Sequence, residues 1–244
     1  MKTILALLSA LAFTIAAQAK VSETIQQTHP FSPTGSIELS NVNGRVEIAA
    51  WDKNEVSIEA VKTAPDDEAL KRIEVRIDAG PSSLSIITHH EKKWYGSSRG
   101  EVSYKLRVPS GVALKAIETV NSDVTIASVR GKVCAGTVNG SIHASDVSSN
   151  VTLHTVNGSI EAQVDKLIVA SHIELKTVNG SCEIAIPADS STRVDASTVN
   201  GHVRCDLPIV ISRSNRNTLH GTIGSGAGTL VLSSVNGGLS ITKI

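Results

Sequence analysis

Aromatic residues are scarce: Phe, Trp and Tyr together make up 2% of the 244 residues, and none follows Tyr104. Rings are the platforms on which sugar-processing clefts are built, so the long segment 105–244 is a poor place for one. Net charge is also lacking, with 23 basic against 23 acidic side chains. That balance leaves no basic face to neutralise phosphates and excludes a nucleic-acid partner. The three cysteines, Cys134, Cys182 and Cys205, are odd in number, so at least one is unpaired in a monomer. No Gly-x-Ser-x-Gly, phosphate loop, His-Glu-x-x-His or Cys-x-x-Cys occurs. No catalytic, cofactor-binding or metal-ligating residue is assigned, and the chain reads as a non-enzyme.

Long apolar runs are few. Ile4–Ala16 follows Lys2, is too short to span a bilayer comfortably, and leads into the small-residue site Ala17-Gln18-Ala19. Residues 1–19 are therefore expected to be a signal peptide cleaved after Ala19. The exported chain, periplasmic or at the cell surface, would begin at Lys20. No later segment approaches the roughly 18 apolar residues of a spanning helix, so no transmembrane segment is expected in the mature chain.

What the chain has in abundance is one short unit. Thr-Val-Asn-Gly occurs four times, at 137–140, 155–158, 177–180 and 198–201, with degenerate copies on either side. Taking the Asn as reference gives Asn121, Asn139, Asn157, Asn179, Asn200, a degenerate His220, and Asn236; an isolated earlier copy gives Asn43. Recurrence at about 20 residues marks a stacked, quasi-one-dimensional architecture. Three and five residues past the reference the chain is apolar, as in Ile142 with Ala144 and Cys182 with Ile184, and the positions between are polar. That period-2 alternation is a half-buried strand. Val151 with Leu153, and Ile173 with Leu175, supply a second strand before the motif.

Two architectures compete. Asn-Gly between alternating segments is a strong hairpin signal, since both residues accept positive φ, and an antiparallel meander would follow. A β-solenoid instead puts like on like about 4.8 Å apart and lets Asn amides bond from coil to coil. It also explains why whole columns match, including a Thr and a Val before the bend that look buried. The solenoid is the expected all-β fold, with seven references on consecutive coils spanning roughly 34 Å. Asn-Gly-Ser at Asn139, Asn157 and Asn179 also fits a glycosylation acceptor, but the bend accounts for it.

Ahead of the repeats, Asp52-Lys53-Asn54 turns the chain into a strand over 55–62. Residues 65–72 read as a short helix, acids first and bases last. Strands are expected near 73–78, 84–89 and 102–108, and Pro109-Ser110-Gly111 marks entry into the regular stack. Phe31, Trp51, Trp94, Tyr95 and Tyr104 all lie here. Residues 20–110 are thus expected to be a β-rich capping part over a solenoid of 111–244, with 20–244 one continuous domain.

Val42-Asn43-Gly44 with Ile48-Ala49-Ala50-Trp51-Asp52, the Tyr104–Pro109 strand ending in Val-Pro, and the Thr-Val-Asn-Gly run together resemble an exported bacterial "putative adhesin" family of β-strand-repeat domains of unknown function. The resemblance covers nearly the whole mature chain and implies an adhesion role. It brings no catalytic motif.

Several groups are candidates for contact chemistry. Cys182 and Cys205 fall inward on consecutive coils but two residues out of register, about 8 Å apart. They are either buried free thiols or, after a local shift, a disulfide. His143, Glu161, Glu183 and Arg204 should line up outward on successive coils, as a cation site or as a solvated face pairing Glu161 with His143 and Glu183 with Arg204. The loop bearing Lys92, Lys93, Trp94, Tyr95 and Arg99 is the candidate contact loop, suited to an anionic glycan, lipid headgroup or acidic partner. His89-His90-Glu91 is too short a signal for a metal site, and Asp146, Asp165, Asp195 and Asp206 sit at unrelated repeat positions and form no catalytic pair. The expected function is a non-enzymatic cell-envelope adhesin or scaffold contacting an envelope protein or glycan. The rivals are a polysaccharide-active β-helix enzyme and an accessory periplasmic envelope-stress factor.

Overall fold

The computed structural model of the chain describes residues 20–91, 100–148, 150–165 and 171–244. Short segments such as Ile160–Val164 and Cys182–Ile186 bury every second residue, as period-2 patterning requires. They assemble into two facing sheets, of ten and eleven strands. In the Asn157 coil, Asn150–His154 lies in the eleven-stranded sheet, the chain turns at Thr155–Gly158, and Ile160–Val164 joins the ten-stranded one. Neighbouring coils pair in parallel, so Ile142, Ile160, Cys182 and Leu239 stand in one file. A single core, mostly Val, Ile, Leu and Ala, runs from Phe31 to Ile241 between the sheets. Parallel pairing decides against a meander. Antiparallel pairs occur toward the two ends, among them Val21–Pro30 on Glu55–Ala64 and Thr192–Thr198 on Thr218–Ile223.

Each residue of the repeated corner has a separate role. The Thr is buried, and its hydroxyl donates to the glycine carbonyl of the preceding coil: Thr155 to Gly140 and Thr177 to Gly158, each at 2.9 Å. The Asn donates its Nδ2 to the neighbouring Oδ1, giving six successive bonds of 2.7–2.9 Å. The Gly permits close approach, since a Cβ on Gly158 would lie 2.0 Å from the Gly140 carbonyl oxygen. Positive φ is not the general reason: no motif Asn has it, and of the motif glycines Gly44 (105°) and Gly180 (157°) do. The Val does not sit inside, contrary to expectation. Val138, Val156 and Val178 are 39–40% exposed, because the alternation that turns Thr inward turns the next residue out.

The coils do not stack in chain order. The ladder runs Asn43, Asn121, Asn139, Asn157, Asn179, Asn236, Asn200. The last coil, Gly228–Ser234 with Leu239–Lys243, inserts between the Asn179 and Asn200 coils. His220 is not a corner. It lies in the antiparallel strand Thr218–Ile223 opposite Asp195, 3.2 Å from its carboxylate. An imidazole cannot reproduce the closely spaced donor and acceptor of an amide.

Asn43 starts the ladder, its Nδ2 donating to the Gly100 carbonyl at 3.3 Å. Its flanking strands, Ser36–Ser40 and Val46–Trp51, pair in parallel with Ala113–Glu118 and Val124–Ala127, so the N-terminal part contributes a coil of its own. Beyond it, the helix Asp67–Lys71 is capped by Asp66, which accepts from the Ala69 N–H at 2.7 Å, and it buries Leu70. Tyr104 is buried with its hydroxyl 2.7 Å from that of Thr88.

Candidate interaction surface

Register places Lys105, Glu47, Thr125, His143, Glu161, Glu183, Ser240 and Arg204 in one outward file on the ten-stranded sheet. Beside it run Arg107, Ala49, Ala127, Ser145, Gln163 and Ala185, short apart from Arg107 and Gln163. A row of long side chains next to a row of mostly short ones makes a trough. Concavities open along it, of about 400 Å³ over His143, Ser145, Glu161, Gln163, Glu183 and Ala185 and about 120 Å³ at Glu47, Lys105 and Ala127.

Within the larger concavity His143 Nδ1 lies 3.0 Å from Glu161 Oε2. The expected Glu183–Arg204 contact is not made, because the inserted strand puts Ser240 between them. Arg204 instead donates its Nε to Asp206 at 2.8 Å. Among the described residues no cation pairs with Glu183, so two neighbouring coils present carboxylates of which one has a partner.

Cys134, Cys182 and Cys205 are free thiols. The same insertion separates the candidate pair: Cys182 lies opposite Leu239 and Cys205 opposite Ile241, on the strand between them. A bridge would have to cross that strand. Burial pushes the Cys182 thiol up to about 12 and raises Cys134 and Cys205 as well, which leaves little thiolate to react at neutral pH.

Other polar groupings hold the rod together. Gly136 leaves a gap on the eleven-stranded sheet, over which His154 Nε2 and Glu118 Oε2 approach to 3.6 Å. Arg130 donates to Asp146 at 2.7 Å and reaches Asp165 at 3.4 Å, bracing the second corner where Asp146 has φ 53°. A further concavity of about 450 Å³ at the start of the ladder is lined by Lys20, Asn43, Thr63, Pro65, Gly100 and Asn121. Sequence reasoning missed it, since five separate stretches of chain meet there. Among the described residues no three His, Cys, Asp or Glu side chains converge on a metal position, and no helix is long and apolar enough to cross a membrane. The contact loop of Lys92, Lys93, Trp94, Tyr95 and Arg99, and the expected signal peptide, lie outside the described residues.

A solved structure shares this architecture. The chain is similar to a "putative cell adhesion protein" of Clostridium sporogenes, with 8% identity, 91% of this chain and 100% of that one covered, and a TM-score of 0.52. Weaker likenesses are a "putative adhesin" of Bacteroides fragilis (11% identity, 91% and 97% covered, TM-score 0.32) and a "putative lipid binding protein" of Parabacteroides distasonis (14%, 91% and 96%, TM-score 0.35). At such identities the likeness concerns fold alone. No curated protein matches the chain. The Toastrack DUF4097 profile matches residues 20–242, and the chain belongs to that family.

Proposed function

We propose that the chain is an exported, non-enzymatic interaction module, an adhesin or scaffold of the bacterial cell envelope, that takes an extended partner along the outer face of its ten-stranded sheet. One observation carries the reading. Polar side chains recur in single file, at the strand spacing of about 4.8 Å, from Lys105 to Glu183, beside a file in which Ala49, Ala127, Ser145 and Ala185 are short and Arg107 and Gln163 are long. A rod tied at each corner keeps that trough open and in fixed register, which suits a glycan chain or an extended segment of an envelope protein. Family membership, the adhesion-type neighbour and the leader-like first 19 residues support the assignment.

The enzymatic alternative would draw on Glu161 and Glu183, register partners on neighbouring strands, as its carboxylate pair. Both are exposed on an open face, without the water-excluding cleft such chemistry uses. The test is a comparison of the parent protein with a Glu161→Lys, Glu183→Lys double variant. Glycan-array binding and crosslinking in native cells should be lost in the variant while its melting curve is kept. Binding that survives the charge reversal, or release of product from any glycan, would overturn the proposal.

A further inference from the structure

The four Thr-Val-Asn-Gly corners carry the same attacking and attacked groups, differing next in sequence only in that His202 follows Gly201 where Ser141, Ser159 and Ser181 follow the others; the stack treats them differently. We infer that Asn200–Gly201, at the outer end of the ladder, is a site of spontaneous deamidation from which the inner corners are protected. In this reaction the backbone nitrogen of the glycine attacks Cγ of the asparagine. The new N–Cγ bond closes a five-membered imide, the Cγ–Nδ2 bond breaks, and ammonia departs carrying the proton lost from the glycine nitrogen. Solvent water then opens the ring at either carbonyl to leave aspartate or isoaspartate.

Attack requires a glycine nitrogen that is not engaged and an amide side chain free to swing over it. Inside the stack neither condition holds. The N–H groups of Gly140, Gly158 and Gly180 donate to the carbonyls of Asn157, Asn179 and Asn236 at 3.0, 3.0 and 3.1 Å. The amides of Asn139, Asn157 and Asn179 are each bonded on both sides. At Asn200 the ladder ends. Its Nδ2 donates to Asn236 Oδ1 at 2.8 Å, but among the described residues no donor reaches its Oδ1 and no acceptor takes the Gly201 N–H. The preceding Val199 is 64% exposed, against 39–40% for Val138, Val156 and Val178. Asn236 and Asn43 rank between: their side chains are bonded, but among the described residues no acceptor takes the N–H of the glycine that follows.

The product loses the Nδ2 donor and turns a carboxylate oxygen toward Asn236 Oδ1. The terminal coil therefore loses its ladder bond, and the change accumulates at one end of the rod. The test needs no variant. The purified protein is aged at mildly alkaline pH, digested with trypsin, and scored by mass spectrometry for amide-to-acid conversion. Residues 194–204 carry Asn200, 177–193 carry Asn179, and 133–166 carry Asn139 and Asn157. Conversion at Asn200 should run about ten-fold ahead of Asn179, the factor that 1.36 kcal/mol of barrier represents. In urea the rates should converge. Equal native rates at Asn200 and Asn179, or a faster Asn179, would overturn the inference.

Discussion

Replacing Gly158 by Ala puts a methyl carbon 2.0 Å from the carbonyl oxygen of Gly140 and 2.5 Å from its carbon. Ordinary contact begins near 3.4 Å, so the two coils must part by about 1.4 Å at this corner. Neither atom can swing aside, because both are backbone. Parting strains the Asn157 N–H bond to Val138 (2.8 Å), the Thr155 hydroxyl bond to Gly140 (2.9 Å) and the Asn157–Asn139 amide bond (2.8 Å). Three bonds at about 0.5–1.5 kcal/mol each, with overpacking of about 1–3 kcal/mol, give a loss of roughly 3–7 kcal/mol. In a chain of this size that lowers the melting temperature by on the order of 15 °C. Gly136→Ala is the control. Its added carbon would meet His154 Nε2 at 2.2 Å and Glu118 Oε2 at 2.5 Å, the ends of half-exposed side chains that can turn into water. Losing that exposed contact should cost under about 1 kcal/mol. Calorimetry on the two variants decides the matter. A Gly158→Ala protein that melts with the parent, or a Gly136→Ala protein damaged as badly, would refute close coil approach as the reason for the repeated glycine.

Two further outcomes are expected. Asn157→Ala removes bonds of 2.8 and 2.7 Å to Asn139 and Asn179; water can take over at this exposed corner, so the urea midpoint should fall by the equivalent of about 1–3 kcal/mol, and an unchanged midpoint would remove the ladder from the stabilising terms. His90 is held below its ordinary 6.5 by burial and then by His89; the unfolded chain therefore takes up its proton first, and stability should fall as pH drops from 6.5 toward the lower folded value. His90→Gln should flatten that part of the stability-pH curve, and a slope that persists would place the acid sensitivity elsewhere.

The coil itself was legible because whole columns matched. Ile142, Ile160 and Cys182 were expected inward and stand inward in one file, and the Asn column was expected to bond to itself and does. The exposed Val was misread by similarity alone: a matched column need not be a buried one, and plain alternation after an inward Thr would have turned it out. The order of the last coils was hidden for a different reason. Asn236 stacks on Asn179 as well as Asn200 could, so the local pattern does not choose between them. One signal was present. Val203–Cys205 is three residues long and is soon followed by Pro208, and short strands near proline are how sheets end.

That ambiguity falls unequally on core and surface. Inward, Leu239 with Ile241 and Val203 with Cys205 are interchangeable apolar pairs, so exchanging two coils leaves the core intact. Outward, the exchange replaces Arg204 by Ser240 beside Glu183 and removes an ion pair. Core columns tolerate permutation and surface columns do not, which is why the architecture could be read and the electrostatics of the trough could not. The order is open to direct test with the native thiol of Cys182. Leu239 is its partner in parallel register, about 4.8 Å away and within disulfide reach, whereas Val203 is the next strand beyond, at about twice that distance. Oxidised Leu239→Cys protein should therefore bridge to Cys182, and Val203→Cys protein should not. A bridge in the Val203→Cys protein alone would restore stacking in chain order, return Arg204 to Glu183, and leave Asn236 rather than Asn200 at the end of the rod.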